Sequence, residues 1–233
     1  MLIRPLLQRG LTLIELMVSI AVGMLLVLAI TQFFVGQVIG NTDLLKVTRL
    51  NQELRAIMDL TVRDIRRGGY WADAVSGVWY EGTPGVTANP LQSITVGSTV
   101  NPDSTTTPGS SIKYAYDANG NGAIDDDENF TIRLNTTDHS VELVQGINTV
   151  TTTPLSDTGT TTITALTFSP ELFPAPVTIT CVVPGSNPVL TVRELKISVT
   201  GRLSSDATVT RTMQETVRIR ADYIVGACPP VIT

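Results

Sequence analysis

The sequence predicts an α+β protein in which a long N-terminal helix, membrane-spanning in its first half, packs on a C-terminal antiparallel β-sheet. Three observations predict this class. No charged residue occurs in Leu16–Thr42, and Val47–Ile65 has apolar residues at three- and four-residue spacing. Farther along the chain, apolar and polar residues alternate repeatedly, which is typical of strands with one buried face. The 233 residues suffice for this helix and one head domain.

The charge-free segment is long enough to cross a bilayer, since about 20 apolar residues span the hydrocarbon core as a helix. We therefore expect residues 11–42 to form a transmembrane or filament-core half of the helix. Arg4 and Arg9 precede the segment, and no comparable basic cluster closely follows it. This asymmetry predicts a cytoplasmic leader, residues 1–10, and a periplasmic C-terminal part.

The next segment, residues 43–67, is predicted to continue the helix as an amphipathic half. Its apolar stripe consists of Val47, Leu50, Leu54, Ile57, Thr61 and Ile65. No proline interrupts Leu11–Arg67, and Gly68-Gly69 provides a stop signal. The helix should therefore end close to Arg67.

The β-rich head is predicted to comprise residues 68–233. Alternation predicts strands at Ile112–Tyr116, Phe130–Leu134, Val141–Val144, Ile163–Phe168, Val177–Val183, Leu190–Thr200 and Thr212–Ile224. The last two strands should form a hairpin through Ser204–Ala207. Ala72–Ser111 is expected to be irregular with two short strands around Val78–Tyr80 and Ile94–Val96, and Thr149–Thr162 is expected to be a loop.

Composition excludes several classes of function. The net charge of −5 becomes −7 without Arg4 and Arg9, so no specific nucleic-acid binding is predicted. With His139 as its only histidine, the chain has no Ser-His-Asp or Cys-His constellation, and it has neither a P-loop nor a zinc motif. We expect no enzymatic activity. Cys181 and Cys228 are predicted to form a disulfide in an oxidising compartment, the alternative being two separate buried thiols.

The segment Arg9-Gly10-Leu11-Thr12-Leu13-Ile14-Glu15 places a basic leader and a glycine before an apolar run with one early carboxylate. It resembles the leader of type IV prepilins and of type II secretion pseudopilins, although Leu11 stands where phenylalanine is usual. The resemblance implies cleavage between Gly10 and Leu11 with methylation of the new amine. It also implies that Glu15 meets the N-terminal amine of a neighbouring subunit. A secretory signal peptide or a plain membrane anchor is the alternative reading.

The segment Asp64-Ile65-Arg66-Arg67-Gly68-Gly69-Tyr70 is similar to the end of the long helix in minor pilins of the PilW kind. This resemblance implies a minor type IV pilin that helps initiate or cap the pilus and serves assembly, adhesion and motility. The implied partners are other minor pilins, the major pilin, the prepilin peptidase, the inner membrane and a tip adhesin. Before assembly the chain would be a single-pass inner-membrane protein; afterwards it would lie in the surface pilus.

Two other functions remain open. A minor pseudopilin of the J kind, from a type II secretion system, would share the leader and the architecture. A membrane-anchored calcium-binding adhesin would retain Met1–Gly10 and never enter a filament.

Residues 117–128, sequence DANGNGAIDDDE, fit the twelve-residue calcium-loop pattern. The predicted ligands are Asp117, Asn119, Asn121, the Ala123 carbonyl, Asp125 and Glu128, with Asp127 as the alternative to Glu128. The flanking segments are predicted strands rather than helices, so we expect Ca²⁺ to have a structural role in ordering a hairpin loop. A solvated acidic turn is the alternative, because Asp, Asn and Gly also dominate hairpin loops.

Overall fold

A computed structural model describes residues 12–74, 89–97, 108–172, 177–178, 180–181, 187–220 and 222–225. The predicted strand Val78–Tyr80 lies outside the described residues. The chain divides into two compact units, Met1–Val47 and Thr48–Thr233. One helix, α1, extends over Leu13–Ile65 and contributes to both.

In the first unit, α1 is long and apolar enough to cross a membrane: an 18-residue window reaches a mean hydropathy of 2.7 and none of that window is buried. Its hydroxyl groups bond within the helix. Ser19, Thr31 and Thr42 donate to the carbonyl four residues earlier at 2.7–2.8 Å. Because lipid offers no hydrogen-bonding partner, this local pairing suits an apolar surrounding.

In the second unit, α1 buries one face. The buried residues are Leu50, Leu54, Ile57, Met58, Thr61, Val62 and Ile65. They confirm the predicted stripe from Leu50 onward and extend it by Met58 and Val62. The helix ends as predicted, since the Gly68 amide donates to Ile65 O at 2.9 Å and Gly69 has a φ of +80°.

Eleven strands are described, all paired antiparallel. The first five are β1 (Thr95–Gly97), β2 (Ser111–Ala115), β3 (Asn129–Asn135), β4 (Ser140–Gln145) and β5 (Thr151–Pro154), and they form one sheet in sequential order. The others are β6 (Thr161–Leu172), β7 (Val177–Thr178), β8 (Val189–Thr191), β9 (Arg193–Leu203), β10 (Thr210–Arg218) and β11 (Tyr223–Val225). They form two sheets, ordered β10-β9-β6 and β11-β8-β7. A single turn of 3-10 helix covers Asp126–Glu128.

The hydrophobic core combines the buried face of α1 with residues of the first two sheets. Leu54, Ile112, Phe168 and Ile197 are each at most 1% exposed. Gly201 in β9 allows close packing, because an added Cβ would lie 3.0 Å from Leu54 Cδ2. The helix is thus held against the β10-β9-β6 sheet at a position where a larger residue would force a shift.

Four expectations about strands were wrong. Thr149–Thr162 contains β5, which pairs with β4 although all four of its residues are exposed, so this edge strand shows no apolar alternation. Leu190–Thr200 is divided into β8 and β9, and Thr212–Ile224 into β10 and β11, because their two halves join different sheets. Of Val177–Val183, only Val177–Thr178 forms a strand among the described residues. The predicted β9–β10 hairpin is confirmed.

Candidate functional site

The N-terminal motif is described from Thr12 onward; Gly10 and Leu11 lie outside the described residues. Glu15 is exposed in the first turn of α1, and its Oε2 accepts hydrogen bonds from Thr12 N at 3.1 Å and Thr12 Oγ1 at 3.0 Å. Thr12 Oγ1 in turn accepts from Glu15 N at 3.4 Å. This is a capping box. The sequence analysis did not predict that Thr12 caps the helix, although a threonine three residues before a glutamate is the signature of a capping box.

The apolar surface behind Glu15 is exposed within the first unit. Large side chains such as Leu13, Met24 and Phe33 are 64–77% exposed. Exposing so much apolar surface to water is unfavourable, so this surface is suited to contact with lipid or with apolar helices of other subunits. The described first unit therefore presents an apolar helix that begins with a capped carboxylate.

The motif at the end of α1 fastens the helix to the first sheet. The buried Tyr114 donates its hydroxyl to Asp64 Oδ2, and Tyr116 donates to Asp64 Oδ1 at 3.4 Å. The Arg67 guanidinium lies 3.8 Å from Asp64 Oδ1 and 4.1 Å from the centroid of the Tyr116 ring. Burial, followed by the nearby Asp64 charge, raises the pKa of Tyr114 well above its usual value. Tyr114 therefore stays protonated and keeps donating.

The backbone after Arg67 continues this attachment. Gly69 N donates to Ala115 O at 2.8 Å, and Asp117 N donates to Tyr70 O at 2.9 Å. The helix end is thereby placed directly beside the first residue of the predicted calcium loop.

The Asp117 carboxylate accepts hydrogen bonds from four backbone amides, three of them within that loop. Its Oδ1 accepts from Gly120 N at 2.6 Å and Asn121 N at 3.2 Å, and its Oδ2 accepts from Gly122 N at 2.9 Å and Ala72 N at 3.1 Å. Gly120 and Gly122 have φ values of +75° and +77°, which glycine adopts without strain. Burial acts to raise the pKa of Asp117, but the backbone donors outweigh it and the pKa is lowered.

Three of the other predicted ligands converge on one point. Asn119 Nδ2 and Asn121 Nδ2 both donate to Asp125 Oδ2 at 2.7 Å. The two side-chain oxygens bond to the backbone instead, Asn119 Oδ1 to Asn121 N and Asn121 Oδ1 to Ala123 N. These bonds fix the loop locally while its amide groups face the carboxylate.

Glu128 closes the loop from within. It is 1% exposed; its Oε1 accepts from Ala118 N at 2.8 Å and Asn119 N at 3.3 Å, and its Oε2 accepts from Asp125 N at 3.1 Å. Asp127 is exposed. Of the two candidates for the twelfth ligand, Glu128 is therefore the one turned into the loop.

The donor set suits a hard cation in its chemistry, since carboxylate and amide oxygens are the ligands that Ca²⁺ prefers. In the described residues no group of three or more His, Cys, Asp or Glu side chains is gathered as a metal site. A complete shell would need the side-chain oxygens of Asn119 and Asn121, whereas in the structure their amide nitrogens face Asp125. Turning both amides would bring these oxygens to Asp125, where only a cation would offset the repulsion.

Asp126 has a partner that sequence reasoning missed. Its Oδ1 accepts from Ile147 N at 3.1 Å, Asn148 N at 2.8 Å and Asn148 Nδ2 at 2.9 Å, and its Oδ2 accepts from Thr149 N at 2.8 Å. The donors on Asn148 and Thr149 lower the pKa of this carboxyl. Asp126, one of the four acidic residues in Asp125–Glu128, is thus stabilised by backbone donors of the β4–β5 turn, without a cation.

The remaining predicted residues are described only in part. Cys228 lies outside the described residues, so the Cys181–Cys228 disulfide stays a prediction. Trp71 is 6% exposed and its Nε1 donates to Gly122 O at 2.7 Å, so it packs against the loop. His139 lies in the β3–β4 turn with a φ of +52°.

Two family models match the chain. Residues 6–31 match the prokaryotic N-terminal methylation motif, which includes Gly10, Leu11 and Glu15. Residues 43–219, more than half of the chain, match prepilin peptidase-dependent protein B. The chain belongs to the prepilin peptidase-dependent protein B family. This membership makes it a pilin-like protein that the prepilin peptidase processes, and it agrees with a long helix packed on antiparallel sheets. No curated protein and no solved structure matches the chain.

Proposed function

We propose that the protein is a minor type IV pilin of the PilW kind, which enters the pilus and helps to initiate or cap it. The observation that supports this most strongly is the exposed, charge-free helix surface that follows the methylation motif. After assembly such a surface would be covered by the helices of neighbouring pilins, and before assembly by the inner membrane. The size of the head suits a terminal position better than repeated packing along a shaft.

In this proposal the peptidase cuts after Gly10 and the Leu11 amine becomes the mature N-terminus. Glu15 then gives up its bonds to Thr12 in favour of the amine of an adjacent subunit. The two Thr12 bonds use only one carboxylate oxygen and are exposed, so exchange requires no unfolding. In a dry filament core an unpaired amine would be costly, which would make Glu15 necessary for entry.

The test separates amine pairing from helix capping. Glu15→Gln and Glu15→Leu should reduce incorporation into sheared pili by at least about tenfold, with membrane insertion unchanged. Thr12→Ala, the matched control, removes the cap but keeps the carboxylate, and should assemble normally. Incorporation is measured by quantifying the protein in purified pili against the membrane pool. Normal entry of Glu15→Leu, or an equal defect in Thr12→Ala, would show that amine pairing is not the role of Glu15.

We also propose that the loop of residues 117–128 binds one Ca²⁺ through Asp117, Asn119, Asn121, the Ala123 carbonyl, Asp125 and Glu128. The side chains of Asn119, Asn121 and Asp125 already meet at one point, so rotating the two amide groups would place oxygens of all three around one ion. Asp117 and Glu128 already draw the loop backbone together, so the ion would complete a preformed turn. The ion would stabilise the loop, and no paired helices exist there for it to move.

Calorimetry on the full chain in detergent tests the site with Asp125→Ala, because Asp117→Ala would also remove four backbone hydrogen bonds. Extracellular calcium modules bind with a Kd of about 10⁻⁴–10⁻³ M. The melting temperature should therefore rise by roughly 2–5 °C in 10 mM Ca²⁺. Asp125→Ala should abolish both the binding heat and the shift, whereas Asp138→Ala, in the β3–β4 turn, should keep both. Absence of binding by the unmodified chain, or a full shift in Asp125→Ala, would identify the loop as an acidic turn.

A further inference from the structure

A cleft of about 530 Å³ lies between the last turns of α1 and the end of β10. Four arginines line it: Arg63, Arg66 and Arg67 from the helix end, and Arg220 from the segment after β10. Without Arg4 and Arg9, the chain has 14 of its 16 lysines and arginines left, so this cleft holds four of 14 in a protein of negative net charge. We name it the arginine cleft.

Most of this positive charge has no ion-pair partner among the residues that the structure describes. Arg63, Arg66 and Arg220 are exposed, and they form no ion pair with any part of the chain that the structure describes. Only Arg67 is engaged, by Asp64 and the ring of Tyr116. Among the described residues, the cleft therefore offers three exposed guanidinium groups without a carboxylate partner.

The helix dipole explains only part of the cluster. Basic residues are favourable in the last turn of a helix, which accounts for Arg63 and its neighbours. Arg220 comes from a different part of the chain, after β10, so its place in the cleft is not set by the sequence of the last helical turn. The fold therefore brings arginines from two separate parts of the chain into one cleft.

We propose that the arginine cleft binds the carboxylates of an acidic peptide segment on a partner protein. The planar guanidinium group donates two parallel hydrogen bonds to a carboxylate, and arginine is enriched at protein interfaces. Val62 supplies an apolar patch in the same wall. Asp59 and Glu215 also line the cleft and would repel a continuous row of phosphates, whereas a peptide can place its carboxylates away from them.

The neighbouring cleft gives such a peptide room to extend. It has a volume of about 610 Å³ and shares Arg67 and Arg220 with the arginine cleft. Tyr70, 57% exposed, and Asn89 line it, so an aromatic contact and a polar contact are available beyond the arginines. Peptide binding by the arginine cleft does not depend on Glu15 or on filament entry. The proposed binding and the proposed pilin function can therefore fail independently of one another.

The experiment uses the full chain in detergent and a fluorescently labelled peptide, acetyl-Gly-Glu-Gly-Glu-Gly-amide, followed by fluorescence anisotropy. Its counterpart with glutamine in place of glutamate controls for charge. Arg66→Glu with Arg220→Glu should weaken binding by at least about tenfold. Arg202→Glu with Arg211→Glu, at exposed positions of β9 and β10 outside the cleft, makes the same change in net charge and should leave binding within about twofold. Arg66→Gln with Arg220→Gln provides a milder pair should charge reversal lower the melting temperature.

Binding of the glutamate peptide alone, lost only in the cleft variants, supports the proposal. Equal binding of both peptides, equal loss in the two charge-reversal pairs, or no binding would overturn it. Tighter binding of pyrophosphate or of a short oligonucleotide than of the glutamate peptide would also overturn it, because the cleft would then select phosphate.

Discussion

The carboxylate of Asp126 shows how one residue joins two loops of the head. It accepts hydrogen bonds from Ile147–Thr149, more than twenty positions away, and so ties the segment before β3 to the β4–β5 turn. Such a contact depends on the sheet being formed. The local sequence around residue 126 therefore did not predict this contact, which the folded chain forms with backbone donors of a distant turn.

Asp126 should make stability depend on pH. Its pKa is lowered in the folded protein, so its contribution is fully present above the unfolded pKa of about 4 and is lost as the pH falls through the folded value. Asp126→Asn should lower the melting temperature at pH 7 and reduce the further loss between pH 7 and pH 3. Asp127→Asn, at an exposed neighbour, should change neither. Thermal melts at both pH values decide this, and an unchanged acid-induced loss in Asp126→Asn would refute the assignment.

Among single residues, the sequence predicted best where partners are near in the chain. The roles of Glu15 and of residues 117–128 stay predictions, whereas the glycines that end α1 were identified from local spacing. The tyrosines that bind Asp64 were not, because about fifty positions separate Asp64 from Tyr114 and Tyr116. Arg220 likewise reaches the arginine cleft only through the fold.

At the scale of elements, the packing of α1 on the sheets depends on its buried face. Leu54→Ala should lower the free energy of unfolding by about 2–5 kcal/mol, because Leu54 is fully buried and contacts the sheet at Gly201. Leu60→Ala, at a 47% exposed position of the same helix, should change it by at most about 0.5 kcal/mol. Thermal or denaturant unfolding of both variants provides the comparison. Similar values for the two would contradict the packing described here.

Strong periodicity allowed the helix and most strands to be predicted, with small errors at their ends. The failures have a common cause. Edge strand β5 is exposed on both faces, and the breaks between β8 and β9 and between β10 and β11 reflect a change of sheet. An exposed edge strand shows no apolar alternation, and a change of sheet leaves the alternation unbroken. A pattern based on alternation therefore misses the first kind of strand and merges strands of the second kind.

At the scale of the whole molecule, two family matches cover different parts of one chain. The methylation motif matches residues 6–31, which include the apolar start of α1, and prepilin peptidase-dependent protein B matches residues 43–219, which include the last part of α1 and most of the head. The first unit accordingly presents an exposed apolar helix, while the second buries a helix face on antiparallel sheets. Membrane anchoring followed by pilus entry would account for the exposed apolar helix of the first unit and for the folded head that the second unit forms.

The most direct test of this account is intact-mass and N-terminal peptide mass spectrometry of the protein purified from cells that contain the prepilin peptidase. The account predicts a mature chain that begins at N-methylated Leu11. A peptidase-deficient strain, as the control, should yield the chain with its leader. An intact Met1 in the peptidase-containing cells, or a cut beyond Ile30, would contradict processing as a prepilin and with it the proposed entry into a pilus.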